Sequence, residues 1–84
     1  MKFRAHIRIL PRPGLLDPQG QAIAHALTEL DFAEASTVRV GKAIEVDLDA
    51  ANASAATRRV RAMCDTLLAN PVTEDFRIEI ETRS

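Results

Sequence analysis

Eighty-four residues leave room for a single domain, expected to span 1–84, whose core alone confers only modest stability. The lone cysteine, Cys64, excludes an internal disulfide or a thiolate metal cluster, so association of copies is the remaining way to bury more surface. Eleven basic against twelve acidic residues, no Trp or Tyr, and no apolar run near the ~20 residues of a membrane span argue against nucleic acid and membrane as partners; a soluble, cytoplasmic chain is expected.

From Lys2 to Leu10 the chain alternates, with Phe3, Ala5, Ile7 and Ile9 on one face and Arg4, His6 and Arg8 on the other. Period two predicts a half-buried strand. Pro11, Pro13 and Gly14 end it, because proline cannot donate to a sheet ladder. Asp17 is placed to cap a helix and Pro18 suits its first position. Ile23, Ala26, Leu27 and Leu30 then form a one-sided apolar stripe. Gly20 weakens that helix by about 1 kcal/mol relative to alanine, which calls for a reason such as close approach of another backbone.

Between Thr37 and Asp49 the apolar residues Val38, Val40, Ile44, Val46 and Leu48 keep one parity straight through Gly41-Lys42. A two-residue hairpin loop there would bring carboxylates onto the apolar face, since a one-residue slip reverses every side chain. Two readings preserve the parity. One is a three-residue loop pairing Val40 with Ile44 and Val38 with Val46. The other is one strand of about 12 residues, roughly 40 Å long, whose far half pairs with a second protomer.

Asn52 or Ser54 caps a second helix, with Ala56, Val60, Met63, Cys64 and Leu67 as its buried stripe. Asn70 is suited to a left-handed turn after it, and Pro71 blocks continuation. Phe76, Ile78 and Ile80 face inward on a last strand, with Arg77, Glu79 and Glu81 outward. The order β-α-β(β)-α-β predicts an α+β, ferredoxin-like fold, two helices on one antiparallel sheet, as a segment-exchanged dimer. First and last strands are then neighbours, so Arg4, His6 and Arg8 face Glu79 and Glu81 on the sheet's outer side.

These residues do not compose an active site. His6 belongs to a charged face and His25 lies off the centre of its helical stripe. Cys64 reads as a small core residue rather than a nucleophile, which would need a base within hydrogen-bond reach. Glu45, Asp47 and Asp49 share one strand face but lack the ligand-rich loop of a calcium site, and Glu74-Asp75 is an isolated acidic pair. Gly41-Lys42 alone is too little for a phosphate loop. No catalytic, cofactor-binding or metal-binding residue is expected on this chain.

Three blocks nevertheless resemble one family in order and spacing. Leu-Leu-Asp-Pro-Gln-Gly-Gln-Ala-Ile-Ala-His-Ala-Leu (15–27) is similar to the first loop and helix of PurS, the small subunit of phosphoribosylformylglycinamidine (FGAM) synthase. Val-Arg-Val-Gly-Lys-Ala-Ile-Glu-Val (38–46) is similar to its long central strand. Residues 63–76, Met-Cys-Asp-Thr-Leu-Leu-Ala-Asn-Pro-Val-Thr-Glu-Asp-Phe, resemble its second helix end and the entry to its final strand. The resemblance implies a subunit without chemistry of its own in an ATP-, Mg- and glutamine-dependent ligase of purine (IMP) biosynthesis. It would bridge a PurQ-type glutaminase and a PurL-type synthetase, support ammonia transfer, and form a homo-dimer or tetramer. It also implies that Asp17, Pro18, Gln19, Gly20, Arg39, Gly41 and Lys42 touch partner subunits; capping by Asp17-Pro18 and a strand bend at Gly41 are the structural alternative. On composition alone a ferredoxin-like module binding a small regulatory molecule between protomers also fits, and a nucleic-acid-binding domain fits less well.

Overall fold

The structure, a computed structural model, describes residues 1–14 and 17–83. Leu15 and Leu16, which open the first of the three blocks, lie outside the described residues, as does Ser84. Strand β1 (Lys2–Pro11) is followed by helix α1 (Pro18–Glu29), strand β2 (Lys42–Asp49), helix α2 (Ala53–Met63) with a π-helical continuation (Cys64–Leu68), and strand β3 (Glu74–Arg83). The sheet is antiparallel in the order β2-β1-β3. The α+β class with two helices and one antiparallel sheet is as the sequence predicts.

Because β1 is central, its inward residues are the deepest in the molecule. Phe3, Ala5, Ile7 and Ile9 are buried, as are Ala56, Val60 and Cys64 of the α2 layer. Those three helical residues recur every four positions and are small, which lets α2 lie close on β1. Ile44, Val46 and Leu48 from β2 and Phe76, Ile78 and Ile80 from β3 flank this core and stay half-buried.

Several local predictions meet particular atoms. Asp17 caps α1 and Pro18 takes its first position. Asn52, rather than Ser54, caps α2, accepting from the Ala55 amide at 2.8 Å. Helix α1 closes with Asp31 at φ 73°, Phe32 N bonded to Leu27 O and Asp31 N to Thr28 O; this paired closure was not anticipated. Asn70 is not left-handed: the residue ending the helical run, Ala69, is extended, and Asn70 instead accepts the Val72 amide through its side chain at 2.9 Å. Leu67, expected in the buried stripe, is 81% exposed. The π continuation explains this, because its wider turn rotates the stripe off the sheet after Cys64.

The hairpin pairings do not occur. Ile44 pairs with Ile7 and Val46 with Ala5, while residues 36–41 run outside the sheet. Helix α1 leaves most of its stripe in the open, with Ile23, Leu30 and the following Phe32 exposed. The chain is therefore long and thin, 51 × 28 × 14 Å. Its radius of gyration is 16.3 Å, against about 12 Å for a compact domain of this length.

Candidate functional site

Six of the seven predicted partner-contact positions cluster where the start of α1 meets residues 38–41. Asp17 is the centre. One carboxylate oxygen accepts from Gly20 N at 3.0 Å, and the other accepts from Val40 N at 3.0 Å, 23 residues away. One side chain thus both caps the helix and fastens it to the segment entering β2.

The two glycines allow that contact. A Cβ on Gly20 would collide with the Val38 carbonyl oxygen, and one on Gly41 with the Ile9 carbonyl oxygen, with Leu10 Cδ2 at 2.8 Å besides. Neither has positive φ, so close backbone approach rather than unusual torsion excludes a side chain. Arg39 donates from Nη1 to Pro11 O at 3.0 Å and is otherwise exposed, as are Pro18 and Gln19. Lys42, the seventh, points elsewhere: its Nζ donates to Leu68 O at 3.1 Å and lies 3.8 Å from Glu74, capping the π segment.

A second fastening, invisible in the sequence, is made by Arg12. Its Nε meets Asp75 at 3.0 Å, Nη1 donates to Val72 O at 3.0 Å and Nη2 to Pro71 O at 2.7 Å. A proline-rich linker gave no signal that its arginine would hold the 71–75 loop.

On the sheet's outer face Arg4 and His6 stand opposite Glu81 and Glu79 as expected, but Arg8 stands opposite Arg77. Among the described residues the one ion pair formed from the expected set is His6 with Glu81. Arg4 pairs with Asp47 at 2.8 Å, and His6 sits between Glu81 at 3.0 Å and Glu45 at 3.4 Å. The Arg4 hydrogen bond holds the Asp47 carboxyl below its ordinary range, and the His6 hydrogen bond does the same for Glu81. Depressed carboxyl pKa values stabilise the fold above the unfolded-state range near ~4, and that contribution disappears as pH falls through the lower folded-state values. Arg4→Met should lower the melting temperature slightly at neutral pH and not at all in strong acid, as thermal melts across pH can check. The exposure of Asp47 keeps the effect small.

The candidate chemistry-bearing groups do not converge. His25 pairs with Glu29 on the surface of α1, far along the chain from His6. Cys64 is enclosed in the core, where burial pushes its thiol pKa up and leaves it unreactive. Asp49, Asp47 and Glu45 are each engaged by a β1 side chain, and among the described residues no group of His, Cys, Asp and Glu could hold a metal ion. The hollow beside α2, about 450 Å³, is lined mainly by Val46, Ala62, Met63, Leu67 and Leu68, with Arg59 and Thr66 its polar residues. No helix among the described residues is long and apolar enough to cross a membrane.

Comparison with known proteins bears on this arrangement. A family model described as "PurS: Phosphoribosylformylglycinamidine (FGAM) synthase" matches residues 4–82. The phosphoribosylformylglycinamidine synthase subunit PurS of Synechocystis is 40% identical over 78 residues, covering 93% of this chain and 78% of that one. Methanocaldococcus jannaschii PurS superposes with a TM-score of 0.84 at 33% identity, over 98% of this chain and 99% of that one. A chain of the Thermotoga maritima PurLQS structure gives 0.86 at 30% identity, over 95% and 98%. A family match over nearly its whole length and superposition on solved relatives agree: the chain belongs to the PurS family of FGAM synthase subunits.

Proposed function

We propose that this chain is the assembly subunit of a cytoplasmic FGAM synthase, bridging a PurL-type synthetase and a PurQ-type glutaminase so that ammonia passes between them. The observation that carries the reading is the superposition on a chain of the T. maritima PurLQS structure over nearly the whole length of both. Catalysis, with the ATP and Mg of the ligase reaction, belongs to the larger subunits; this chain, a single domain, supplies surface and geometry. Pro18, Gln19 and Arg39 form the contact surface, Asp17, Gly20 and Gly41 fix its shape, and Lys42 holds the neighbouring π segment instead.

The chain does this work as an oligomer. Its thin outline, the residues 36–41 outside the sheet and the open stripe of α1 all support further copies completing the second helical layer. The α1 stripe is flanked by Glu29, Asp31 and Glu34, and the apolar hollow is rimmed by Arg59, so the two surfaces match in polarity and charge.

The test is reconstitution. With purified synthetase and glutaminase, glutamine-dependent amidine formation should fall at least tenfold when this chain is omitted and recover when it is returned. Activity indifferent to its presence would overturn the reading.

A further inference from the structure

We propose that Arg8, Arg39 and Arg77 form a binding site for a phosphate dianion, free or carried as a monoester, at the Pro11 end of the sheet.

The sheet's outer face is a set of charge rows fixed by the strand register. Toward the Lys2 end the charges are answered within the chain: Lys2 by Asp49, Arg4 by Asp47, and His6 by Glu45 and Glu81. Toward the Pro11 end they are not. Arg8 stands directly opposite Arg77, an arrangement that is unfavourable for like charges, and Ala43 on its other side offers no partner. Among the described residues neither guanidinium has an ion pair, and both are exposed.

A third guanidinium joins them from outside the sheet. Arg39 lines the same hollow of about 220 Å³, with Leu10 and Pro11 beside it. Its Nη1 donates to Pro11 O at 3.0 Å, which holds the group at the hollow and leaves its other N–H groups for a ligand.

A phosphate matches this set in charge and in shape. Its terminal oxygens and nearly two negative charges can meet all three planar donors at once. A carboxylate, with two oxygens and one charge, leaves one arginine unanswered. The acid that lines the hollow, Asp75, already accepts from Arg12 Nε at 3.0 Å. The wider hollow across the Arg8–Arg77 row, about 580 Å³, suits an anion less well, because Glu45 and Glu79 line it. Those carboxylates also repel a polyanion lying along the face, so the site takes a single phosphate group rather than a nucleic-acid backbone. Leu10 and Pro11 offer the organic part of an ester an apolar surface.

Calorimetric titration of the purified chain at about 0.05 M salt reads this out, with inorganic phosphate and ribose 5-phosphate as probes. Dissociation constants of roughly a millimolar are expected, the strength of a few charge-assisted hydrogen bonds in an open site. Tighter binding of ribose 5-phosphate assigns the site to a phosphate ester, and equal binding assigns it to the free ion. Arg8→Gln and Arg77→Gln should each weaken binding at least about tenfold. Arg39 is left intact, because it also belongs to the proposed contact surface. Without phosphate, Arg77→Gln should raise the melting temperature by about 2–4 °C, since a like-charge pair is gone, and this shows that the variant is folded. Affinity for ribose 5-phosphate should fall between about pH 8 and about pH 5, because the ester takes up a proton near pH ~6 while the arginines keep theirs.

Absence of phosphate binding, binding indifferent to both substitutions, or an affinity that does not change across that pH range overturns the proposal. So does an Arg77→Gln chain that still binds phosphate but no longer joins the synthetase or glutaminase, since the arginines would then serve a protein partner. The site does not rest on the bridging role. Phosphate is titrated into the isolated chain and bridging is read in amidine formation, so the two can fail separately.

Discussion

Replacing Gly41 with valine should cost about 3 kcal/mol and disturb assembly more than helix content. The new Cβ lands on the Ile9 carbonyl oxygen, a backbone atom of the central strand that cannot swing aside as a side chain would. Relief requires residues 36–41 to peel away from β1, taking Val40 N off Asp17 and Arg39 off Pro11. Helix α2 takes no part in these hydrogen bonds and keeps its own cap at Asn52. Circular dichroism should then show near-native helix content while sizing shows a changed assembly. A variant with native sizing and native stability would remove the close approach as the reason for glycine here.

Asp17→Ala is the second large effect, about 2–3 kcal/mol. Loss of a helix cap contributes about 1 kcal/mol, and the part-buried Val40 N–H left without a partner adds about 1–2 kcal/mol. Asp17→Asn separates the two contributions, because an amide keeps only one acceptor oxygen and must abandon either Gly20 or Val40. Denaturant unfolding should place the Asn variant between wild type and alanine. Equal loss in both variants would mean that the charge, rather than the paired acceptors, fastens the two segments. Since chains of this length carry a total stability of about 4–13 kcal/mol, either alanine at 17 or valine at 41 removes a large share.

Much of this is legible in the sequence, and the reasons are local. Period-two alternation placed β1 and β3 and their outward charges, because a single face of each is buried. Asp17-Pro18 and Asn52 marked helix starts through the unpaired amides there. The helix penalty at Gly20 pointed to a backbone neighbour, which is Val38. What periodicity could not show is where a helix changes pitch: the stripe was extended through Leu67 on a 3.6-residue repeat, but the π turn after Cys64 breaks that repeat. The left-handed residue was sought at Asn70, yet Asp31 adopts that conformation, since the paired amide–carbonyl bonds at the end of α1 hold it there. The parity through Gly41-Lys42 excludes one hairpin and leaves open a three-residue loop or one strand of about 12 residues; in the structure β2 begins at Lys42, runs eight residues and pairs along its whole length with β1. Arg12 was unreadable, because its three acceptors lie about sixty residues away.

The enclosure of Cys64 has a practical side. A chain whose only thiol is shut in the core and held protonated is already a clean background for labelling. A cysteine introduced at Leu67, which points into solvent, would be the sole site a maleimide dye could reach. Fluorescence from that position would report, without a second mutation, when the apolar hollow beside it becomes covered.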